Sequence, residues 1–175
     1  MLRSGKPWWT IVLTGIFTGL VLFTVYFLLM VQNNQIVSWM FASIYLIPLI
    51  GMTYASIRVK NRYLGGYMKF SESFLISWLT GFLSSVVYST FIYFIFTFLN
   101  SNELDYRALL LEQFLQMQSG NITIQEIHTM KSNISQLLSA SYLALLNLIF
   151  HSLLAVIYAF IIAIFVRRKI SLIEV

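Results

Sequence analysis

The 175-residue chain contains no cysteine, which removes a disulfide framework, a thiolate metal site and a thiol nucleophile together. Charge is the next scarcity. Only 10% of the residues are Asp, Glu, Lys or Arg, against about 25% in a soluble domain. What fills the sequence is 59% hydrophobic residues, with 17% aromatic. They gather into four nearly uncharged runs, each at least about 20 residues long, enough to cross the ~30 Å hydrocarbon core of a bilayer as a helix. The net charge of +5 sits in short patches beside these runs. Cations so placed orient helices and meet anionic lipid, so no nucleic-acid partner is expected.

The expected fold is an all-α integral membrane protein, a four-helix transmembrane bundle forming one membrane domain over residues 1–175. The spans are expected at residues 8–31, 36–57, 71–99 and 137–166. The first is read as a retained helix because no small-residue cleavage site follows it. Only Gln32, Asn33, Asn34 and Gln35 separate the first two spans, so these must be antiparallel neighbours. Residues 100–136 are expected to form two short amphipathic helices in an extracytoplasmic segment between the third and fourth spans. One starts near Asn102 and Asp105 and carries Leu104, Ala108, Leu111 and Leu115 on one face. Gly120 and Asn121 break it, and Thr123 with Glu126 reads as the capping box of the next. Arg3, Lys6, Arg58, Lys60, Arg62, Lys69, Arg167, Arg168 and Lys169 fall on one side of this topology, and only Arg107 and Lys131 on the other. The positive-inside bias therefore puts both termini in the cytoplasm.

Small residues recur at matching depths. Gly15 and Gly19 lie four apart in the first span, Pro48 and Gly51 share the second, and the third repeats Ser73, Ser77, Gly81, Ser85 and Ser89. The fourth carries Ala155, Ala159 and Ala163. Lipid supplies no hydrophobic drive between helices, so such residues serve close backbone packing; the competing readings are a polar path along the serines and a homodimer through Gly15 and Gly19. Pro48 frees the carbonyl of Ile44, which makes either a static kink or, in the competing reading, a hinge or an ion ligand. His151, with Asn147 one turn earlier, is the ionisable residue well inside a span and so the default functional candidate. Glu72 starts the third span, where an acid complements the helix dipole. Glu72 and His151 belong near opposite membrane faces, so they form no acid–base dyad. His128 has Glu126 only two residues away, on another helix face, so no metal site is expected. Asn121 and Asn133 each open a glycosylation triplet, which matters only in a eukaryotic secretory pathway.

The glycine-bearing first span, the stretch Gly65-Gly66-Tyr67-Met68-Lys69-Phe70-Ser71-Glu72-Ser73-Phe74, the long third helix and the basic end at Arg167-Arg168-Lys169 resemble one bacterial family. It is catalogued as domain of unknown function 4199, a group of small four-helix membrane proteins. The resemblance covers nearly the whole chain and implies an inner-membrane location without an established activity, so it carries over no catalytic residue and no cofactor. The residues themselves point to a non-catalytic accessory, assembly or envelope protein, with a transporter or channel subunit as the alternative. An intramembrane enzyme would need paired acids, metal ligands or a base near a nucleophile. The expected partners are the lipid bilayer together with other membrane proteins or a second copy of the chain.

Overall fold

The structure, a computed structural model, describes residues 7–31, 38–99 and 139–167, the side chains of 30, 31, 38–43 and 99 excepted. The expected outer segment at 100–136, with Glu126, His128 and both glycosylation triplets, lies outside the described residues. So do the link at Gln32 to Gln35 and the cations Arg3, Lys6, Arg107, Lys131, Arg168 and Lys169.

Four long helices make up the described chain: α1 (Pro7–Val31), α2 (Ser38–Tyr63), α3 (Phe70–Phe94) and α4 (Ala140–Val166). No strand occurs among the described residues. Three stretches, Pro7–Leu29, Phe70–Phe98 and Ala140–Val166, are helical, long and apolar enough to cross a membrane. The second of these passes beyond α3 because the chain continues as a π-helical turn, Ile95–Leu99. Helix α2 runs farther than its apolar run, which ends at residue 57. Arg58, Lys60 and Arg62 are good helix formers whose long stems carry the charge away from the apolar face.

Backbone chemistry at the α2–α3 turn explains its glycines. Gly65 and Gly66 adopt φ values of 61° and 86°, a region that costs a side chain dearly. The turn lets the Gly66 N–H donate to the Lys60 carbonyl at 3.0 Å, giving an orphan carbonyl of the helix end a partner. Glu72 then does more than complement a dipole. Its Oε2 accepts the Lys69 N–H at 2.9 Å, the backward half of a capping box, and so starts α3.

The chain divides into two compact units, residues 1–88 with 148–175, and residues 89–147. Within the first, side-chain pairs give the helix order. Helix α1 is antiparallel to α2, since the Thr10 and Tyr63 hydroxyls meet at 3.3 Å and Thr18 faces Gly51. Helix α1 is parallel to α3, where Gly15 faces Thr80 and Leu83 while Gly19 faces Ser84 and Val87. Ser56 and Ser77 share a buried 2.6 Å hydrogen bond between α2 and α3. The Phe70 and Phe160 rings stack edge to face at 5.6 Å, and Gly81 meets Ala155, so α3 and α4 are antiparallel. The result is an up-down-up-down arrangement. Helix α3 touches the other three and is the most enclosed, with half of its apolar stretch buried against 28% in α1 and 33% in α4.

Small side chains share the interior with larger apolar ones such as Leu22, Met52 and Met68. Ser56, Ser73, Ser77, Thr80, Ser84 and Ser85 are all buried, beside Ala55, Ala155, Ala159 and Ala163. Leu13, Phe17, Ile50, Leu153, Ile157 and Phe165 face outward. A soluble bundle would not leave so many large apolar groups outward, because water drives them in. Several interior hydroxyls turn back on their own helix: Thr18 donates to the Thr14 carbonyl at 2.7 Å, Thr80 to Ile76 at 2.8 Å and Ser85 to Gly81 at 2.8 Å. At the end where α2 and α4 finish, the Lys60 ammonium donates to the Val166 carbonyl at 2.6 Å, a cation closing a helix C-terminus.

A methyl group built on Gly81 would lie 2.7 Å from the Ala155 Cβ and 2.8 Å from the Met52 sulfur, inside the ~3.5 Å at which carbon atoms attract. Gly81→Leu is therefore expected to lower stability by about 2 to 3 kcal/mol, the upper range for overpacking. Leu75→Phe, on the exposed side of α3, should leave the detergent unfolding midpoint nearly unchanged. Comparable midpoints for the two variants would mean that α3 does not pack through Gly81. Lys60→Met keeps the stem but loses the ammonium, and should cost about 1 to 2 kcal/mol. Earlier amide exchange in the last turn of α4 would localise that loss to Val166.

Candidate functional site

His151 lies on α4 about 22 Å along the helix from Val166, and only 7% of its surface is exposed. Its imidazole sits over the ring of Tyr88 from α3, centroids 4.9 Å apart and planes at 59°. Tyr88 is 2% exposed and meets Tyr26 of α1 edge to face at 5.9 Å. On the other side of His151, Phe150 stands at 5.7 Å and in turn meets Tyr45 of α2 at 6.3 Å. One line of rings thus draws on all four helices, each contact within the ~4.5 to 7 Å range where aromatic groups attract. It also packs an imidazole against a phenol between α3 and α4, the two ring planes tilted rather than parallel.

The other sequence candidates do not join this cluster. Asn147 uses its side-chain amide to donate to the Leu143 carbonyl at 2.9 Å, one turn back on α4. Glu72 caps α3 at the opposite end of unit 1, beside Lys69. Pro48 is buried within a continuous α2, one turn from Met52. Gly15 and Gly19 lie against α3, and Gly81 lies between α2 and α4. Among the described residues no group of three His, Asp or Glu side chains comes together as a metal site.

Tyr88 is the residue that sequence reasoning passed over. Its signal was present in the spacing, for it stands seven residues after Gly81 and so lies on the same stripe of α3. Hydropathy alone treats a tyrosine in a span as one more aromatic, and only the packing of α4 shows that it faces His151.

Comparison with known proteins adds a family and no activity. The model of a family described as "Protein of unknown function (DUF4199)" matches residues 12–168. No curated protein and no solved structure matches the chain.

The ring contact predicts an order of tolerance at position 151. His151→Phe keeps a flat ring over Tyr88 and should cost less than about 1 kcal/mol, whereas His151→Ala removes the ring and should cost about 2 to 3 kcal/mol. Thermal unfolding in one detergent measures both. Equal losses would show that the polar atoms of the imidazole, rather than its face, hold the two helices.

Proposed function

The chain belongs to that family of unknown function, and on this premise we propose that it is a non-catalytic integral membrane protein of the bacterial inner membrane. In this reading it spans the membrane four times, both termini are cytoplasmic, and it acts as an accessory, assembly or envelope-interaction protein. The observation that carries the proposal is the close helix approach at Gly15, Gly19 and Gly81, together with the many large apolar side chains that the helices turn outward. Helices that leave no room for a methyl group between them offer their outer surface to lipid and to other membrane proteins. The up-down-up-down order agrees with an even number of spans. Arg58, Lys60, Arg62, Lys69 and Arg167 belong to one end of unit 1, the distribution expected of a cytoplasmic face.

A transporter or channel subunit is the second reading, and the buried His151–Tyr88 pair is what favours it, since an intramembrane imidazole suits proton or ion handling.

Two measurements test these readings. A reporter fused after Val175 should behave as cytoplasmic and one inserted near Gly120 as external; the reverse pattern would overturn the orientation. Chain reconstituted in vesicles should pass no more protons than empty vesicles across a pH gradient. A flux that His151→Gln abolishes while the protein stays folded would put the transport reading first.

A further inference from the structure

An open groove of about 630 Å³ runs between α1 and α2, walled by Leu13, Phe17, Val21, Ile47 and Ile50. Its lining residues come from these two helices alone, and Leu13, Phe17 and Ile50 are each at least 60% exposed, so it faces outward. The groove exists because α1 leans on α3 through Gly15 and Gly19 and touches α2 at Gly51. At one end stand Tyr54 and Arg58. The same two residues begin a second recess, of about 410 Å³, which adds Ile57, Asn61 and Arg62. An apolar channel thus opens directly into a cationic one.

The cationic end is built. Arg58 hydrogen-bonds the Tyr54 hydroxyl, and its guanidinium lies 5.5 Å from the centre of the Tyr54 ring. That contact holds the side chain at the groove mouth yet occupies few of the five guanidinium donors, leaving a fork suited to a phosphate. Among the described residues no carboxylate lines either recess beside Arg58 and Arg62. Length fits as well. Arg58 and Ile47 are about 16 Å apart along α2, and one leaflet of hydrocarbon is about 15 Å thick. The volume falls in the ~300 to 1,000 Å³ range of small-molecule sites.

We propose that this groove binds one two-chain phospholipid with an anionic headgroup, an acyl chain along Phe17 and Ile50 and the phosphate at Arg58 and Arg62. The proposal rests on the reading of the chain as membrane-spanning. It differs from general lipid wetting in that both an apolar track and a headgroup site are assigned to named residues. Arginine matters here because its planar fork holds two parallel donors at the spacing of two phosphate oxygens, whereas lysine is a flexible point charge.

Native mass spectrometry of the full chain, released from mild detergent with equal phosphatidylglycerol and phosphatidylcholine, tests this. One phosphatidylglycerol should remain bound, with about tenfold preference over phosphatidylcholine, because both carry the phosphate but the cationic choline of the second is repelled by the Arg58 and Arg62 pair. Arg58→Ala combined with Arg62→Ala should reduce that preference to about onefold to twofold, and Arg58→Lys should recover only part of it. Ile50→Trp, which fills the apolar track from an exposed position, should displace both lipids. Arg167→Ala, an exposed cation that lines neither recess, should change nothing. Circular dichroism on each variant confirms that the helices remain. Equal retention of the two lipids by the unmodified chain would overturn the proposal, as would a loss in Arg167→Ala matching that of the Arg58 and Arg62 pair. Failure of the membrane reading itself would look different, because the chain would then leave membranes on alkaline extraction.

Discussion

A methyl group placed on Gly15, Gly19 or Gly81 would stand 2.7 to 2.8 Å from a side-chain carbon of a neighbouring helix, closer than any side-chain carbon can rest. The separation of α1 from α3, and of α3 from α2 and α4, is set by that limit. Water does not drive apolar helices together where lipid is equally apolar, so contact has to come from backbones near enough for dispersion to act over many atoms. This is why α3 carries serine, threonine and glycine on the sides it turns to its neighbours, while Leu13, Phe17, Leu153 and Phe165 point away. The central position of α3 follows, since it offers small residues to three partners.

Close approach imposes a second requirement, because a hydroxyl sealed between helices needs an acceptor. Thr18, Thr80 and Ser85 meet it on their own helices, and Ser56 with Ser77 meets it across the gap. The helix backbone serves as acceptor for Thr18, Thr80 and Ser85 without moving, whereas the buried hydroxyls of Ser73 and Ser84 make no such bond among the described residues. Rings enter at another level, where His151, Tyr88 and Tyr26 meet through tilted and edge-to-face contacts. The interior is thus graded from hydroxyl and glycine contacts to aromatic ones.

The basic end works differently again. Lys60 ties α2 to the last carbonyl of α4, Glu72 starts α3, and two glycines with positive φ make the turn between α2 and α3. Charges that a membrane would exclude here terminate helices, which is where orphan backbone groups need them. Arg58 belongs to the same end but turns outward to the α1–α2 groove. One patch of cations therefore serves helix capping on its inner side and lines an outward groove with Arg58 on its outer side.

Much of this was legible in residue order. The apolar runs located the helices to within a few residues, except that α2 continues to Tyr63 because arginine and lysine end a hydrophobic run without ending a helix. The four-residue repeat from Ser73 to Ser85 marked the packed side of α3, and the spacing of Gly15 and Gly19 marked that of α1. His151 was conspicuous as an ionisable group in an apolar run, and the residues around Gly65 to Phe74 carried the resemblance to the family. The partners were not legible. A repeat says which side of a helix is narrow, but several helices with similar repeats can pair in more than one way. That Gly81 meets Met52 and Ala155, that His151 lies over Tyr88, and that Arg58 closes a groove walled by α1 depends on distances between segments remote in sequence. Periodicity is a property of one helix at a time, and these sites exist only where two or more helices meet.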